Sequence, residues 1–468
     1  MMKTVAEMAL TWKIPEQKVT YFCRNGRIHG AIKQGNQWFI PENTEKPIDA
    51  RTRIYKEKQN QKNSVFYYET TKSSYDASEH VRAAYEKTYR KKPQEVRFAP
   101  YRICPLGAHV DHNLGWITGF AIDKGIYMAY SLKTNGVVEI SSLQFPKRAQ
   151  WHVMATPPVR QNDWADLLRG ATIALAKRHP LQYGLSAILD GELPIGGLSS
   201  SATVVLTFIT SLAKLNGIQL RAKELMEISR ESENQYLGVS SGKLDQSCEI
   251  YCQKDKLLFM DTLTDEKEII PMNPAMKPFE IAIFFSGLER SLAGSRYNMR
   301  VDELKAAAYD LAAYAGYDYG RFADIYARDI PEDVYLAYRD RLPESFRRRA
   351  DHFYSECRRA KDGAEAWRNG NLEEFGQLIF ESGRSSIKNW ETGCPELIKL
   401  YEIMTQTDGI YGGRFSGAGF KGCCMALIDP EKRESILENV QRAYLSAFPE
   451  MEGKYSAHIC HTAEGVRW

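Results

Sequence analysis

Apolar positions recur along this chain at two periods, near 3.6 and near 2, and the switch between them predicts its elements. Ser78 to Tyr89 has helical spacing with Ser78 as its cap, and Glu95 to Pro100 reads as a strand. Strands follow at Ile117 to Tyr130 and Gly136 to Ser142, then a helix at Asn162 to Arg178 and a strand at Leu185 to Leu189. A helical run, Val204 to Leu215, stops at Asn216-Gly217. Arg221 to Tyr236 is predicted as one helix and Phe279 to Phe285 as a strand. Val301 to Tyr314 opens a long helical region, broken near Pro331 and Pro343 and reaching about Leu378. Its charged stripes read as solvated faces. Cys424 to Ile428 is a late strand.

The first 53 residues follow a different pattern. Thr4 to Leu10 and Glu16 to Cys23 read as two short helices, with Asn25-Gly26 stopping the second. Two short strands about a Gly-Asn turn then run to Pro41. Helix, turn, helix and β-wing is the order of a winged helix-turn-helix, and KIPEQKVTYFCRNGRIHGAIKQGNQWFIP resembles the excisionase and MerR-like class. Nine Lys/Arg stand against five Asp/Glu through Arg53. Two readings are open. One is DNA binding, with Gln17, Lys18, Tyr21 and Arg24 on the recognition helix. The other is a docking or dimerisation module of the same shape. Residues 54–64, IYKEKQNQKNS, lack periodicity and read as a linker.

Composition narrows the class. The 468 residues are 43% hydrophobic and 26% charged, enough for a buried core. A net charge of +3 is too balanced for nucleic-acid binding by the whole molecule. Nine cysteines, an odd number with no C-x-x-C pair, read as reduced thiols of a cytoplasmic protein. No secretory signal pattern and no apolar run near the ~20 residues of a membrane span is present.

Four turns concentrate chemistry. Gly191 to Ala202, GELPIGGLSSSA, leads straight into a helix. Glycines admit close backbone approach and the first helical N–H groups lack internal partners, so the turn is either an anion site or an ordinary serine-capped turn. It lacks the lysine of a Walker loop. Upstream, APYRICPLGAHVDHN places Arg102, His109, Asp111 and His112 on one turn, suited to a polyhydroxyl ligand unless the imidazoles are structural. Downstream, Glu233 precedes GVSSGKLDQ, whose Asp245 is either a site carboxylate or a helix cap. A second glycine turn, YGGRFSGAGFKGCC, suggests another backbone-cradled group.

Taken in order, APYRICPLGAHVDHN, LPIGGLSSSA and GGRFSGAGFKGC resemble the three hallmark motifs of the GHMP sugar kinases, galactokinase branch. ENQYLGVSSGKLDQ, RSLAGSRYNMR and the CPEL at Cys394 agree with that branch. The resemblance covers about 65–468 and implies an α+β, two-lobed kinase fold, preceded here by the small winged helix-turn-helix domain. The lobes are expected at 65–285 and 286–468. It implies Asp245 as the base or orienting carboxylate and Arg102 beside it and the phosphates. It implies Gly196, Gly197, Leu198, Ser199, Ser200 and Ser201 around ATP, Ser201 and Glu233 as Mg²⁺ ligands, and His109, Asp111 and Tyr297 against the sugar. Arg102 and Mg²⁺ then stand in for the missing lysine.

Departures from the motif refine the substrate. The nucleotide loop is one residue short, Lys421 replaces a glycine and His112 a tyrosine. Ala108 stands where galactokinases carry a Glu near the sugar's C6 hydroxyl. A Glu there repels a C6 carboxylate, whereas alanine removes that charge. YRICPLGAHVDH also resembles galacturonokinases. The expected activity is therefore ATP-dependent phosphorylation of galacturonate at the anomeric hydroxyl, with galactose as the alternative substrate and His112 or a nearby cation facing the carboxylate. A sugar-sensing DNA-binding regulator is the alternative of another class. Expected partners are a sugar or sugar acid and ATP, with DNA through residues 1–53 and no membrane.

Overall fold

The computed structural model describes residues 2–24, 28, 30–35, 37–44, 46–47, 76–288, 295–318 and 320–468. The linker at 54–64, the Asn25-Gly26 stop, the turn at Asn36 and residues 289–294 lie outside that set. The chain divides into two compact units, 1–69 and 70–468.

The first unit runs β1 (Met2–Thr4), α1 (Val5–Trp12), α2 (Glu16–Arg24), β2 (Ile32–Gln34) and β3 (Gln37–Pro41). Thr4 starts α1 with a capping box. Its backbone N–H donates to Glu7 Oε2 at 2.7 Å and its hydroxyl accepts from Glu7 N at 3.4 Å. Met8, Trp12, Val19, Phe22 and Ile40 form the core. β1 was not legible, because three residues carry no alternation; it completes a sheet of order β1-β3-β2. Gln17, Lys18, Tyr21 and Arg24 are exposed on α2.

The second unit opens with α3 (Ala77–Tyr89), capped by Asp76, not Ser78: Asp76 Oδ1 accepts from Ser78 N at 2.9 Å. Then come β4 (Glu95–Ile103), β5 (Trp116–Lys133), β6 (Val137–Ser142), β7 (Ala149–His152), α4 (Asp166–Ala176) and β8 (Gly184–Gly191). α5 (Ser200–Leu215) and α6 (Ala222–Glu231) follow. The predicted Arg221–Tyr236 helix is α6 plus a wider, π-type turn over Ser232–Leu237. α7 (Leu244–Tyr251), β9 (Lys256–Asp261) and β10 (Lys267–Pro271) complete the first half, and β11 (Glu280–Phe285) leads to α8 (Ser295–Ala315). The helical region is α9 (Glu332–Tyr338), α10 (Glu344–Arg368) and α11 (Leu372–Lys388), with breaks at both prolines. α12 (Pro395–Gln406), β12 (Ile410–Phe415), β13 (Cys423–Ile428), α13 (Arg433–Ala447), β14 (Ser456–Cys460) and β15 (Thr462–Ala463) close the chain.

Two sheets organise this unit. β5 is the spine of the first. It pairs antiparallel with β4, β8, β9 and β15, and β6 and β7 extend the far edge. The second has the order β12-β13-β11-β14, so β11 joins it from before residue 286. The C-terminal segment crosses back. Thr462 pairs with Ile122, Arg97 Nη1 donates to Arg467 O at 3.1 Å, and Val466 N donates to Glu249 O on α7 at 2.7 Å.

One expectation fails in the helical region. The stripe on α10 is not solvated: Arg349, His352 and Glu356 are fully buried against other elements. A polar i,i+3/i,i+4 row looks the same from sequence whether it meets water or a buried polar network.

The two glycine turns pack backbone to backbone. Gly196 and Gly197 have φ +136° and +88°. A Cβ on Gly422 would come 2.7 Å from Gly196 C, and one on Gly417 would come 2.9 Å from Gly197 Cα. The second turn therefore braces the first. Gly422→Ala is expected to destabilise the fold more than Gly217→Ala. Both glycines have positive φ, costing an alanine about 1–2 kcal/mol, but Gly217 faces open space. Equal shifts in thermal midpoint would count against this packing.

Candidate active site

β4 delivers Arg102 to the interior, where it is 3% exposed. Its Nε and Nη2 donate to Asp245 Oδ1 at 2.8 and 2.6 Å, while Nη1 is buried without a protein partner. Asp245 sits in the first turn of α7 and does not cap it. Asp111 serves that helix start instead: its Oδ2 accepts from Leu244 N at 2.9 Å. The approach is close enough that a Cβ on Gly242 would stand 2.2 Å from the same oxygen. Burial, countered by the Leu244 N–H, pushes Asp111 up to about 6.

Between these groups lies the turn after β4. Thr118 on β5 holds Leu106 from both sides, accepting from its N at 2.9 Å and donating to its O at 2.8 Å. Gly107 has φ +88°, and His109 has φ +61°, a left-handed conformation uncommon outside glycine. Ala108, His109, Asp111 and His112 are all buried.

The imidazoles form an aromatic nest that sequence did not reveal. His109 and His112 stack on Trp390 with centroids 5.5 and 5.4 Å away, and Tyr297 on α8 meets His112 edge-on at 5.9 Å. Burial, reinforced by Arg414, holds His109 well below its ordinary range. Burial also lowers His112 to about 3 and His352 to about 4. His112 is thus not the cation expected to face a carboxylate. Its tautomer is fixed by its neighbour. Asn113 Oδ1 accepts from Ala327 N at 3.0 Å, so its Nδ2 donates to His112 Nδ1 at 2.8 Å and the proton resides on Nε2. His112 Nε2, His109 Nε2 and Trp390 Nε1 are all buried without protein partners. A cleft of about 710 Å³ reaches Asp111, His112, Ser241 and Gly242, but its walls do not include Asp245 or Arg102.

On the other side, Ser199 at φ 58° opens α5 with no side-chain cap. The free N–H groups of that first turn, the braced glycines and the orphaned Arg102 Nη1 fit a phosphate group. Leu198 is packed into the main core and anchors the turn. The π-type turn buries Glu233, whose anionic form the Ser201 hydroxyl favours; Glu233 Oε2 accepts from Ser241 at 3.0 Å and Gln246 at 3.2 Å. Burial raises the Glu233 pKa. Among the described residues no cluster of three His, Cys, Asp or Glu could hold a metal ion. One hydroxyl and one carboxylate nevertheless fit Mg²⁺, which usually keeps waters and takes phosphate oxygens as further ligands.

Glu249, one turn beyond Asp245 on α7, was also not anticipated. It is buried, accepts from Thr203 Oγ1 at 2.8 Å, and burial raises its pKa well above the usual range. The i,i+4 spacing from Asp245 was the available signal. All nine cysteines are free and eight of them are buried, in line with the reduced-thiol expectation. No helix among the described residues is long and apolar enough to cross a membrane.

The galactokinase galactose-binding signature matches residues 83–132, the GHMP kinases N terminal domain 166–253 and the GHMP kinases C terminal domain 364–446. The chain is 37% identical to a galacturonokinase of Arabidopsis thaliana, over 80% of this chain and 93% of that protein. It is 28% identical to a galactokinase of Roseiflexus over 82% and 96%. The crystal structure of Lactococcus lactis galactokinase complexed with galactose superposes with TM-score 0.74 at 26% identity, covering 82% of this chain and 98% of that one. The Methanococcus jannaschii mevalonate kinase shares the fold, with TM-score 0.53 at 14% identity, 79% of this chain and 98% of that one. The chain belongs to the GHMP kinase family, in the branch of the galactokinases and galacturonokinases.

The neutral imidazoles make a prediction about acid stability. Their folded pKa values are depressed, so below about pH 6.5 the unfolded chain binds protons that the fold excludes. Each such group removes up to about 1.4 kcal/mol per pH unit as pH falls. Asp111, raised to about 6, and Glu233 and Glu249, also raised by burial, act in the opposite direction, while His458, lowered to about 4, adds to the imidazoles. The contribution of one imidazole is therefore read by difference: from pH 7 to pH 5 the thermal midpoint of His112→Gln is expected to fall less, or rise more, than that of the wild type. An equal slope in the variant would mean that His112 is protonated in the fold.

Proposed function

We propose that this protein is an ATP-dependent sugar 1-kinase acting on the anomeric hydroxyl of a galactose-type sugar, with galacturonate preferred to galactose. The observation that carries the preference is Ala108, a buried neutral residue beside His109 where galactokinases have a Glu. A carboxylate facing another carboxylate at ~4 Å in a poorly solvated site costs several kcal/mol; alanine imposes no such cost. With both imidazoles neutral, recognition of the sugar acid falls to N–H donors such as His112 Nε2, not to an imidazolium.

ATP supplies the phosphoryl group and Mg²⁺, when bound by Ser201 and Glu233, neutralises phosphate charge. This chain's own residues then have distinct tasks. Asp245 faces the anomeric hydroxyl, orienting it or taking its proton. Arg102 holds Asp245 with two N–H groups and offers the third side of its guanidinium to the transferring phosphate. The first turn of α5 receives phosphate oxygens, and Tyr297 and His109 pack on the sugar. The parallel Phe145–Trp164 stack follows Gln144, whose Nε2 donates to Gly191 O at 3.4 Å where β8 enters the glycine turn, and it offers a flat surface for a base.

The deciding measurement is kcat/KM on galacturonate and galactose with ATP and Mg²⁺. A tenfold preference for galactose would remove the sugar-acid reading and leave a galactokinase. Ala108→Glu is expected to lower activity on galacturonate more than on galactose. Asp245→Asn should abolish turnover while sugar binding survives; full turnover in that variant would assign the base elsewhere.

A second role is favoured by the exposed Gln17, Lys18, Tyr21 and Arg24 on α2: residues 1–53 bind DNA as a winged helix-turn-helix, coupling the kinase to regulation. A salt-dependent gel shift of the full chain on the gene's own upstream region tests it. Affinity no greater than for unrelated DNA would leave the module a docking element.

A further inference from the structure

Glu356 on α10 belongs to none of the sequence motifs, and it has 0% exposure. Burying a carboxylate costs several kcal/mol unless charge and hydrogen bonds compensate it. Here both oxygens are fully engaged. Oε2 accepts from Arg359 Nε at 2.8 Å. Oε1 accepts from Gly107 N at 2.9 Å, Ala108 N at 3.3 Å, Ser382 Oγ at 2.5 Å and Arg414 Nη1 at 3.4 Å. Burial alone would raise Glu356, but Arg359 and Arg414 bring it down to about 2, so it stays anionic.

These contacts form two arms. The first reaches the sugar-side turn. Glu356 holds the N–H of Ala108, and His352, one turn earlier on α10, donates Nε2 to the carbonyl of Ala108 at 3.0 Å. Ser385 Oγ sits 2.9 Å from His352 Nδ1 and keeps that ring in place. Both ends of residue 108 are therefore clamped by one helix, directly before the left-handed His109. The second arm reaches the phosphate side. Arg414 donates Nη1 to Ser382 Oγ at 2.6 Å, Nη2 to Ser386 Oγ at 3.0 Å and Nε to Phe415 O at 3.1 Å. Arg414 lies at the end of β12, where the chain enters the glycine turn that backs Gly196 and Gly197.

We propose that Glu356 is a positioning residue shared by both substrate subsites, fixing the sugar-side turn through Ala108 and the phosphate loop through Arg414. The kinetic consequence rests on the sugar-kinase reading; the backbone consequence does not. Glu356→Asp keeps the charge and withdraws the carboxylate by one methylene. It is expected to raise KM for sugar and for ATP at least fivefold each, and to speed amide exchange of Gly107 and Ala108 at least tenfold. His352→Gln cuts only the first arm and should raise the sugar KM alone. Ser386→Ala cuts only the second and should raise the ATP KM alone. Should Glu356→Asp not fold, Ser382→Ala removes the hydroxyl bridging the two arms without touching a charge, and the same double effect is expected.

Unchanged exchange at Gly107 and Ala108, or both KM values within twofold of wild type, would overturn the proposal. So would a common rise of both KM values in His352→Gln and Ser386→Ala, which would indicate general packing. A wild-type chain that phosphorylates no sugar would refute the proposed activity, while the exchange measurement would still decide the positioning role.

Discussion

The ion pair between Arg102 and Asp245 constrains everything placed around it. A guanidinium at 3% exposure is tolerated only with a well-aimed counter-charge, and Asp245 supplies it at 2.6 Å. The two groups come from distant parts of the chain, so β4 and α7 must be fixed independently and to within a few tenths of an ångström. β5 fixes β4 along nearly its whole length, and Asp111 fixes the start of α7. The turn that carries Asp111 thus serves the scaffold. The resemblance implied a sugar contact for Asp111; its nearest partner within the protein is a helix N–H.

Scaffold and candidate site are joined at the glycine turns as well. The first glycine turn is held in its open shape by a second one, and positive φ values at Gly196, Gly197, Gly417 and Gly422 are what permit contact between two backbones. From sequence both turns read as backbone cradles, one leading into a helix and the other into a strand. Only the fold shows that the second lies against the first.

Much of the fold was legible because its signals are local. Most of the predicted strands and helices fell within a few residues of their limits, since a hydrophobic period and a stop signal need only neighbours; β7, β9, β10, β12, β14, β15, α12 and α13 were not read from the sequence. The site was legible through ordered motifs and family resemblance, which brought Arg102, Asp245, Ser201 and Glu233 onto one page. What escaped depends on contacts across the fold. Asp76 and Ser78 both offer a cap, and only the backbone path selects Asp76. His112 reads as a titratable group until the burial imposed by Trp390 and Tyr297 makes it neutral. Glu356 and His352 look like any polar helical row until α10 is seen to run through the interior.

The returning C-terminal segment has a consequence for how the molecule is made. β15 closes the first sheet by pairing with β5, and Val466 and Arg467 brace α7 and β4, the two elements that carry Asp245 and Arg102. These contacts join residues hundreds of positions apart. At about 5–20 residues per second of synthesis, tens of seconds separate the emergence of β5 from that of its last partner. During that interval Ala121 and Ile122, between the stretches of β5 that pair with β9 and β8, lack their strand partner and the Arg102–Asp245 pair lacks its outer support. This sheet, and the bracing of β4 and α7, are therefore completed only once the segment at 462–467 has been made.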